Sequence, residues 1–387
     1  MRKLVSIQKI KNINPIEGAD FIEMAQVLGW QCVVNKGQFL PGDLCVYFEI
    51  DSFLPVRPEF EFLRKSSFKT NVILGEGFRL KTMKFKGQIS QGLVLPLKEV
   101  GIIRVDNSDK FDDARDYVFR QEGKPDLEMI DLIKPSSFND LTLEGLDITD
   151  LVGVKEWEIP ERASTGGTLV GNLPYCVHKT DETRIQSMPE LLDEFKGLEY
   201  YITTKYDGSS HSIAIDNEGK FRVTGHNYEF KDDGKNSFYN FVKKRGFEEK
   251  LREYLKENGY TSITVQGEWC GEGIQKNRLK LKQPNWFVFT VDIDGKRVGW
   301  EKICSVCDRC GIDHVECQEI GNDLPSVYPT VEALIKRAEG MPGKRTAYGE
   351  SQPEGIVIRP MIPIYSKILV GNLSMKVINN KYLLKTN

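Results

Sequence analysis

The most restrictive feature of this sequence is a series of short β-forming runs within its first hundred residues. Each run is rich in β-branched or aromatic residues, and Gly, Pro, Asp and Asn separate one run from the next. Several short strands without long helical patterns between them predict a small barrel or sandwich. The runs are Lys3 to Ile7, Gln31 to Val34, Asp43 to Phe48 and Gly92 to Pro96.

A basic segment with interleaved aromatic residues lies in the same region, between residues 64 and 86. It holds seven Lys or Arg residues and one acid, Glu76, with Phe68, Phe78 and Phe85 among them. Positive charge beside exposed aromatic rings is what a nucleic-acid-binding surface needs. A solvated hairpin whose Phe side chains point into the core is the alternative, and the sequence leaves both open.

Charge divides the 387-residue chain into three parts. Residues 1–100 carry a net charge of +4, residues 101–163 carry −8 and residues 164–387 carry +1, which gives −3 in total. At about 150 residues per domain, this length predicts two or three domains. Any nucleic-acid surface must be local, because the whole chain is not basic. We predict a barrel over 1–100, an acidic connector or solvated insert over 101–163 and a second domain over 164–387.

The sequence lacks the marks of membrane and secreted proteins. No apolar run approaches the roughly 18 residues of a membrane helix, and the first residues show no sustained apolar core of a secretory signal. The eight cysteines are not spaced as a disulfide framework. We expect an intracellular, soluble protein with no membrane partner.

One cysteine cluster has two interpretations. Cys304, Cys307 and Cys310 lie at intervals of three and are followed by His314 and Cys317, which is compatible with zinc. The surrounding residues also fit a short helix, on which cysteines at this spacing line one apolar face. We favour the helix.

The last part of the chain mixes helical and strand periods, which predicts a mixed α+β domain. Helices are expected at Glu190 to Phe195, Phe238 to Leu255 and Thr330 to Gly340. Strands are expected at Tyr200 to Ile215, Phe221 to Val223, Ser262 to Val265, Trp286 to Val291 and Gly355 to Ile358.

The strongest chemical signal is a lysine between a strand and a tight turn, in the segment from Tyr201 to His211. Lys205 would be held rigidly there, with Asp207 two residues away on the same side. A lysine is nucleophilic only when deprotonated, and its ordinary pKa is about 10.4. Burial, a divalent metal or a second lysine would lower that pKa, and Asp207 could hold a metal through water. By itself this motif also fits a surface β-turn.

Three further segments place charged groups at strand ends or in strands. Glu268 stands at a strand end before glycines, Glu354 precedes an apolar strand, and Lys376 is a second strand lysine. Each segment alone is compatible with ordinary strand-end residues. Their joint occurrence, in this order after Lys205, is much more specific.

Together these segments resemble the ATP-dependent RNA ligases of the covalent nucleotidyltransferase superfamily, in the subgroup with an OB domain before the nucleotidyltransferase domain. The resemblance covers nearly the whole chain and implies an α+β protein with an N-terminal OB-like barrel. The segments that resemble the subgroup's OB domain and the lead-in to its catalytic domain are Pro15 to Asp20, Gly42 to Leu44, Phe48 to Ser52, Gly87 to Gly92 and Lys179 to Gln186.

The resemblance also implies a role for each candidate residue. Lys205 matches the lysine that attacks the ATP α-phosphate and becomes lysyl-AMP. Asp207 and Glu354 match acids that organise the catalytic metal, and Lys376 matches the lysine that neutralises the α-phosphate. The remaining matches are Glu268 to the ribose-binding glutamate and Trp286 or Phe287 to the aromatic residue that stacks on adenine.

The implied function is ATP-dependent joining of a 3′-OH end to a 5′-phosphate end, with RNA on the 3′-OH side. The implied cofactors are ATP and Mg²⁺ or Mn²⁺. We expect RNA or an RNA/DNA hybrid duplex with a nick or break as substrate, and a monomeric enzyme. A GTP-dependent RNA-capping guanylyltransferase and a non-catalytic RNA-binding protein on a ligase scaffold remain as alternatives.

Three positions depart from the general superfamily pattern. Ser210 stands where DNA ligases usually have arginine, which favours the RNA-ligase branch. His226 lies where an arginine–asparagine pair is common, and Ser374 replaces a frequent lysine. Phosphate contacts at His226 and Ser374 are therefore left open.

Overall fold

The computed structural model describes residues 2–105, 113–133, 141–157, 167–179, 181–340 and 353–385. The chain forms two compact units, residues 1–160 and 161–386. Within the predicted connector, residues 106–112, 134–140 and 158–163 lie outside the described residues. In the part of the chain that the structure describes, no helix is long and apolar enough to span a membrane.

The first unit is built mainly from short strands. Its strands are β1 (Val5–Pro15), β2 (Ile22–Val27), β3 (Trp30–Asn35), β4 (Leu44–Phe48), β5 (Ser52–Pro55), β6 (Phe68–Asn71), β7 (Gly75–Arg79), β8 (Thr82–Phe85), β9 (Gln88–Gln91), β10 (Leu93–Pro96), β11 (Ile102–Arg104), β12 (Tyr117–Phe119), β13 (Leu127–Glu128) and β14 (Lys155–Glu156). Two short helices, α1 (Arg64–Ser67) and α2 (Thr149–Val152), and four 3₁₀ helices, Pro58–Leu63, Leu97–Val100, Ala114–Asp116 and Met129–Leu132, join them.

An antiparallel five-stranded sheet in the order β10-β4-β1-β2-β3 forms the centre of this unit. A four-stranded sheet, β14-β5-β7-β6, a three-stranded sheet, β11-β12-β13, and the hairpin β8-β9 complete it. Both faces of β1 and β4 are covered where the strands pair, since residues 5–8 and 45–48 are all buried, and Val5, Ile7 and Phe48 are among those in the main core of the unit. The predicted β-rich architecture of the first hundred residues is confirmed.

The acidic segment contributes apolar side chains to the same core. Ile102, Phe119, Met129 and Ile148 are all buried there with Phe48. The sequence predicted that the acidic segment is a solvated insert, whereas its described parts are packed into the core of the first unit. The acids hide the pattern, since isolated apolar residues between charged ones show no clear period.

The second unit combines sheets with six helices among its described residues. Its strands are β15 (Leu169–Asn172), β16 (Thr183–Arg184), β17 (Glu199–Lys205), β18 (Ser209–Ile215), β19 (Phe221–Thr224), β20 (Tyr228–Phe230), β21 (Ile263–Cys270), β22 (Asn285–Ile293), β23 (Lys296–Arg297), β24 (Asp313–His314), β25 (Cys317–Asn322), β26 (Gly355–Pro360), β27 (Tyr365–Ser366), β28 (Gly371–Asn372) and β29 (Met375–Ile378). Its helices are α3 (Ser237–Lys244), α4 (Phe247–Asn258), α5 (Trp300–Cys310), α6 (Leu324–Val327), α7 (Val331–Glu339) and α8 (Asn380–Lys385), with a 3₁₀ helix at Pro189–Phe195.

Two large sheets and two hydrophobic cores organise the described part of this unit, and β27 and β28 form a separate two-stranded sheet. One sheet has the order β15-β20-β19-β18-β21-β22-β23, with β24 beside β22, and its core includes apolar residues of α3, α4 and α5. The other has the order β16-β29-β26-β17-β25, and its core includes residues of α6, α7 and the 3₁₀ helix. The mixed α+β class predicted from the sequence is confirmed.

Helix ends follow local sequence signals. The Thr330 hydroxyl accepts a hydrogen bond from the Ala333 N–H and caps α7. Gly311, at φ +62°, ends the cysteine-containing α5 in the left-handed conformation. Cys307 and Cys310 are buried and Cys304 is half-buried, as the helix interpretation requires. The predicted helix from Phe238 to Leu255 is instead two helices, because the chain breaks at Gly246, at φ +62°.

Candidate active site

The segment around Lys205 carries the chain from one sheet of the second unit to the other. Strand β17 ends at Lys205, and β18 begins at Ser209 in the other sheet. The predicted tight turn occupies residues 206–208. A Cβ on Gly208 would lie 2.5 Å from the Trp269 carbonyl oxygen, so the turn approaches β21 too closely for any larger residue.

Strand pairing places Glu354 against the lysine. Lys205 pairs with Gly355 across β17 and β26, so the residue before Gly355 reaches the lysine head group. The Lys205 ammonium donates a 2.6 Å hydrogen bond to a Glu354 carboxylate oxygen, and both side chains are largely buried. These two residues are 149 positions apart in sequence, and only the sheet register brings them together.

Glu268 reaches the same place from the opposite sheet. It pairs with Ser210 across β21 and β18, and its carboxylate accepts a 3.0 Å hydrogen bond from the Gly208 N–H. The pKa of Glu268 is raised to about 7. Burial is the largest cause and Glu354 adds to it, while the positive charge of Lys205 acts in the opposite direction.

The surroundings of Lys205 favour its charged form. Burial lowers the pKa of Lys205, but the carboxylates of Glu354, Glu268 and Asp207 outweigh that effect and raise the pKa above its ordinary value. From the sequence we expected a lowered pKa for Lys205. The difference arises because three acids, and not one, surround this amine.

Lys376 lies on β29, the strand next to β26, and its side chain lines the same site as Lys205. It pairs with Val357 across β29 and β26, and with Arg184 across β29 and β16. Burial, followed by the positive charges of Arg184 and Lys205, lowers its pKa to about 8. The structure therefore brings the second predicted lysine into the site.

Asp207 is held by two residues that the sequence analysis did not identify. Its carboxylate accepts a 2.7 Å hydrogen bond from Arg278 and a further one from the Tyr382 hydroxyl. The Arg278 guanidinium lies 4.5 Å from the centre of the Tyr382 ring, a cation–π distance. No local signal marks this contact, since the three residues lie in a turn, a loop and α8.

A cavity of about 200 Å³ opens between the two sheets of this unit. Lys205, Glu268 and Lys376 line it, together with the aromatic side chain of Phe289. Its other lining residues are Asp181, Glu182, Thr203, Thr204, Tyr206, Ser210, His226, Val315, Val357 and Arg359.

The two aromatic residues chosen from the sequence do not line this cavity. Trp286 is buried in the core, with its ring 5.4 Å from that of Phe238. Phe287 packs edge-on against Tyr206 at 4.9 Å. Phe289 lines the cavity instead. Alternation along β22 fixes Phe287 and Phe289 on one face and Trp286 on the other, but sequence alone does not say which end of that face borders the cavity.

A second ion pair forms part of the cavity wall. The buried Arg359 donates hydrogen bonds to Glu182 and to the Phe289 carbonyl, and the Ser374 hydroxyl donates to Glu182. Arg359 also donates a 3.4 Å hydrogen bond to Ser374. Ser374, which replaces a lysine that is frequent in the general pattern, thus belongs to a network that contains a buried arginine.

The carboxylates of the site fit a divalent cation. Burial raises the pKa of Glu268, and Glu354 and Asp207 add to that rise against the lowering effect of Lys205. Carboxylate oxygens gathered in this way are ligands that Mg²⁺ and Mn²⁺ prefer. Among the described residues, no group of three or more His, Cys, Asp or Glu side chains is arranged to bind a metal directly. Contacts through metal-bound water, as the sequence predicted for Asp207, fit this geometry.

The basic segment of the first unit adopts two hairpins, β6–β7 and β8–β9. Phe78 is fully buried, Phe68 is half-buried and Phe85 is exposed at the tip of β8–β9, near the exposed Lys84 and Lys86. One Phe of the segment is therefore in the core and another is exposed beside basic residues, and nucleic-acid binding by this segment stays a prediction.

Comparison with known proteins gives two family matches and a set of similar structures. An OB-fold domain profile matches residues 4–97, and the RNA ligase family profile matches residues 198–378. The comparison with curated proteins gives no match.

Similar solved structures extend over the whole chain. The Naegleria gruberi RNA ligase with PPi is 27% identical with a TM-score of 0.76, and the alignment covers 100% of this chain and 99% of that one. A glutamate-to-alanine variant of that ligase with ATP and Mn is 28% identical, with a TM-score of 0.76 and coverage of 99% of both chains. A second such variant, with AMP and Mn, is 26% identical, with a TM-score of 0.78 and 99% coverage of both chains. The chain therefore carries an RNA ligase family domain behind an OB-fold domain, and its structural likeness to an RNA ligase over the whole chain supports a ligase enzyme.

Proposed function

We propose that this ligase uses ATP to join an RNA 3′-OH end to a 5′-phosphate end through a lysyl-AMP intermediate on Lys205. The observation that carries the proposal is that Lys205 and Lys376 line one cavity from β17 and β29, while Glu354, just before the intervening β26, is hydrogen-bonded to Lys205. A nucleophile, an acid and a second cation within one enclosed space are what phosphoryl transfer requires.

In the first step, the neutral amine of Lys205 attacks the α-phosphorus of ATP. A phosphorus–nitrogen bond forms, the bond from that phosphorus to the bridging oxygen breaks, and pyrophosphate leaves. Lys376, which is cationic at neutral pH, lies where it would neutralise charge on the α-phosphate. The bond to AMP conserves the activation of ATP for the later steps.

Lys205 has to lose its proton before this attack, and its three carboxylate neighbours oppose that loss. Glu354 and Asp207 are the residues that would hold a divalent metal, Mg²⁺ or Mn²⁺, through its waters. The bound metal would supply positive charge that offsets these carboxylates and lowers the pKa of the amine. A structure of the Naegleria ligase with ATP and Mn supports ATP and a divalent metal as the cofactors of this proposal.

The second and third steps use the RNA ends. The 5′-phosphate attacks the phosphorus of lysyl-AMP, which frees Lys205 and gives an adenylylated 5′ end. The 3′-OH then attacks the 5′-phosphate, forms the phosphodiester and releases AMP. We propose nicked RNA or RNA/DNA duplexes as substrates and a monomeric enzyme.

The functional division of the chain is part of the proposal. Residues 1–100 form the OB-like nucleic-acid-binding domain, and residues 164–387 carry the adenylyltransferase chemistry. Residues 101–163 join the two in sequence, and their described part packs into the core of the first unit. The exposed Phe85, Lys84 and Lys86 of the β8–β9 hairpin give the first domain a basic, aromatic surface of the kind that binds nucleic-acid strands.

Labelling with α-³²P-ATP and Mn²⁺ tests the nucleophile. We expect Lys205→Ala to lose covalent AMP by at least about 10³-fold, because the change removes the proposed nucleophile. Lys220→Ala is the matched control, since Lys220 is exposed in the turn between β18 and β19, at the opposite end of β18 from Lys205. Labelled Lys205→Ala would refute the assignment, and labelling by GTP in place of ATP would favour a capping enzyme.

A further inference from the structure

The loop between β21 and β22, residues 271–284, has an unusual charge for this unit. It contains four basic residues and one acid, whereas residues 164–387 as a whole carry a net charge of only +1. The loop begins two residues after Trp269, whose carbonyl oxygen lies against the catalytic turn at Gly208. Its Arg278 contacts Asp207 at 2.7 Å. We call residues 271–284 the basic loop.

The backbone of the basic loop is held in a defined shape. Ile274 and Leu279 are buried in the core of the unit. The Asn277 side chain bridges the loop, since its Nδ2 donates to the Leu281 carbonyl and its Oδ1 accepts from the Leu281 N–H, each at 3.0 Å. Groups that project from such a loop are preorganised, which lowers the entropic cost of binding.

Its positive charges divide into an inner and an outer set. Arg278 points inward to Asp207, whereas Lys276, Lys280 and Lys282 are exposed. Among the described residues, no carboxylate oxygen lies within 4 Å of these three ammonium groups. Three uncompensated cations on one preorganised loop attract a polyanion.

We propose that Lys276, Lys280 and Lys282 bind the phosphodiester backbone of the RNA strand next to the end that is being joined. The inference rests on the proposed function and specifies where its RNA binds. Lysine contacts to phosphates position a strand without reading its sequence. Arg278 of the same loop contacts Asp207 in the active site, so the loop that carries these lysines borders the reacting groups. The phosphates that they bind would therefore lie close to the reacting end.

The test variant replaces all three exposed lysines, as Lys276→Ala/Lys280→Ala/Lys282→Ala. Its binding to a 5′-phosphorylated RNA strand and to a nicked RNA duplex is measured by fluorescence anisotropy from about 50 to 200 mM salt. Each lost phosphate contact reduces the slope of log K against log salt by about 0.7 to 0.9. We expect a slope lower by about 2 to 3, and a loss of sealing of at least about tenfold at limiting RNA.

The control variant carries the same change in charge at the far end of the sheet, as Lys220→Ala/Lys256→Ala/Lys296→Ala. These lysines are also exposed, and they lie near the end of β21 that starts at Ile263, opposite the end that leads into the basic loop. We expect its salt slope and sealing to match those of the wild type. Equal losses in both variants would show a general charge effect and overturn the inference.

Three further outcomes are decisive. An unchanged slope and unchanged sealing in the test variant would overturn the inference. Loss of self-adenylylation, a reaction that uses no RNA, would mean that the lysines act on ATP and would also overturn it. Polyglutamate that displaces RNA at equal charge concentration would show that the three lysines form a surface for acidic polypeptides.

If instead wild-type protein forms no covalent AMP while RNA binding still depends on the lysines, the proposed function fails and the RNA site stands.

Discussion

Two lysines line one cavity of the second unit, and their pKa values are shifted in opposite directions. Burial lowers the pKa of both amines, but Lys205 lies among Glu354, Glu268 and Asp207, which raise its pKa above the ordinary value. Lys376 has Arg184 and Lys205 as neighbours, and its pKa falls to about 8. One lysine thus lies on an acidic side of the cavity and the other on a basic side. The charges of the neighbouring residues determine the pKa of each amine and hence its protonation state.

The acidic side is disturbed most strongly by Glu354→Gln. The change keeps the size of the side chain but removes the charge that pairs with Lys205 and would organise a metal. We expect self-adenylylation to fall about 10²- to 10³-fold, and the pKa of Lys205 to decrease because its main acidic partner is lost. Single-turnover labelling as a function of pH measures both. A rate within twofold of wild type, with the same pH profile, would contradict the assignment.

The basic side is tested by Lys376→Met. Losing the cation that faces the α-phosphate should reduce self-adenylylation about 10²-fold. The same substitution should increase the stability of the folded protein at pH 7. Because the folded pKa, about 8, lies below the ordinary value, the charged lysine destabilises the fold below pH 8, and this penalty disappears as pH rises to about 10.4.

Thermal unfolding at two pH values measures that effect. The melting temperature of Lys376→Met should exceed that of wild type at pH 7, and the difference should shrink toward pH 10. Lys256→Met, a change at an exposed lysine, should show no such pH dependence. A Lys376 variant less stable than wild type at pH 7 would refute the electrostatic argument.

The aromatic wall of the same cavity is expected to give a smaller effect. Phe289→Leu should raise the ATP concentration for half-maximal labelling about tenfold, because base–aromatic stacking contributes about 1–3 kcal/mol. Phe287→Leu should raise it less, since Phe287 packs on Tyr206 outside the cavity lining. Titration of ATP in the labelling assay decides, and the reverse order would restore Phe287 as the stacking residue.

The smallest effect concerns the stability contribution of Glu268. Its pKa of about 7 exceeds the ordinary value of about 4.3, so the folded state binds more protons, and wild-type stability should fall as pH rises from about 4.3 to 7. Glu268→Gln should lack this fall and unfold a few degrees higher at pH 8, at about 2–4 °C per kcal/mol. Equal melting temperatures at pH 8 would argue against the raised pKa.

Much of the fold followed from local patterns, and the errors have a common cause. The strands around Lys205, the helix that follows Thr330 and the helix that carries Cys304, Cys307 and Cys310 depend on residues close in sequence, and all were predicted. The apolar contribution of the acidic segment and the contact of Arg278 with Asp207 were not. Both depend on residues distant along the chain, which no periodicity records.

The sequence by itself determined the residue types of the site, the order of its strands and the turn that follows Lys205. Only the tertiary structure decided which charges surround each lysine and which aromatic residue borders the cavity. The physical reason is that Coulomb interactions and burial depend on distance in space. Strand register sets those distances here, as it does for Glu354 opposite Lys205 across β17 and β26.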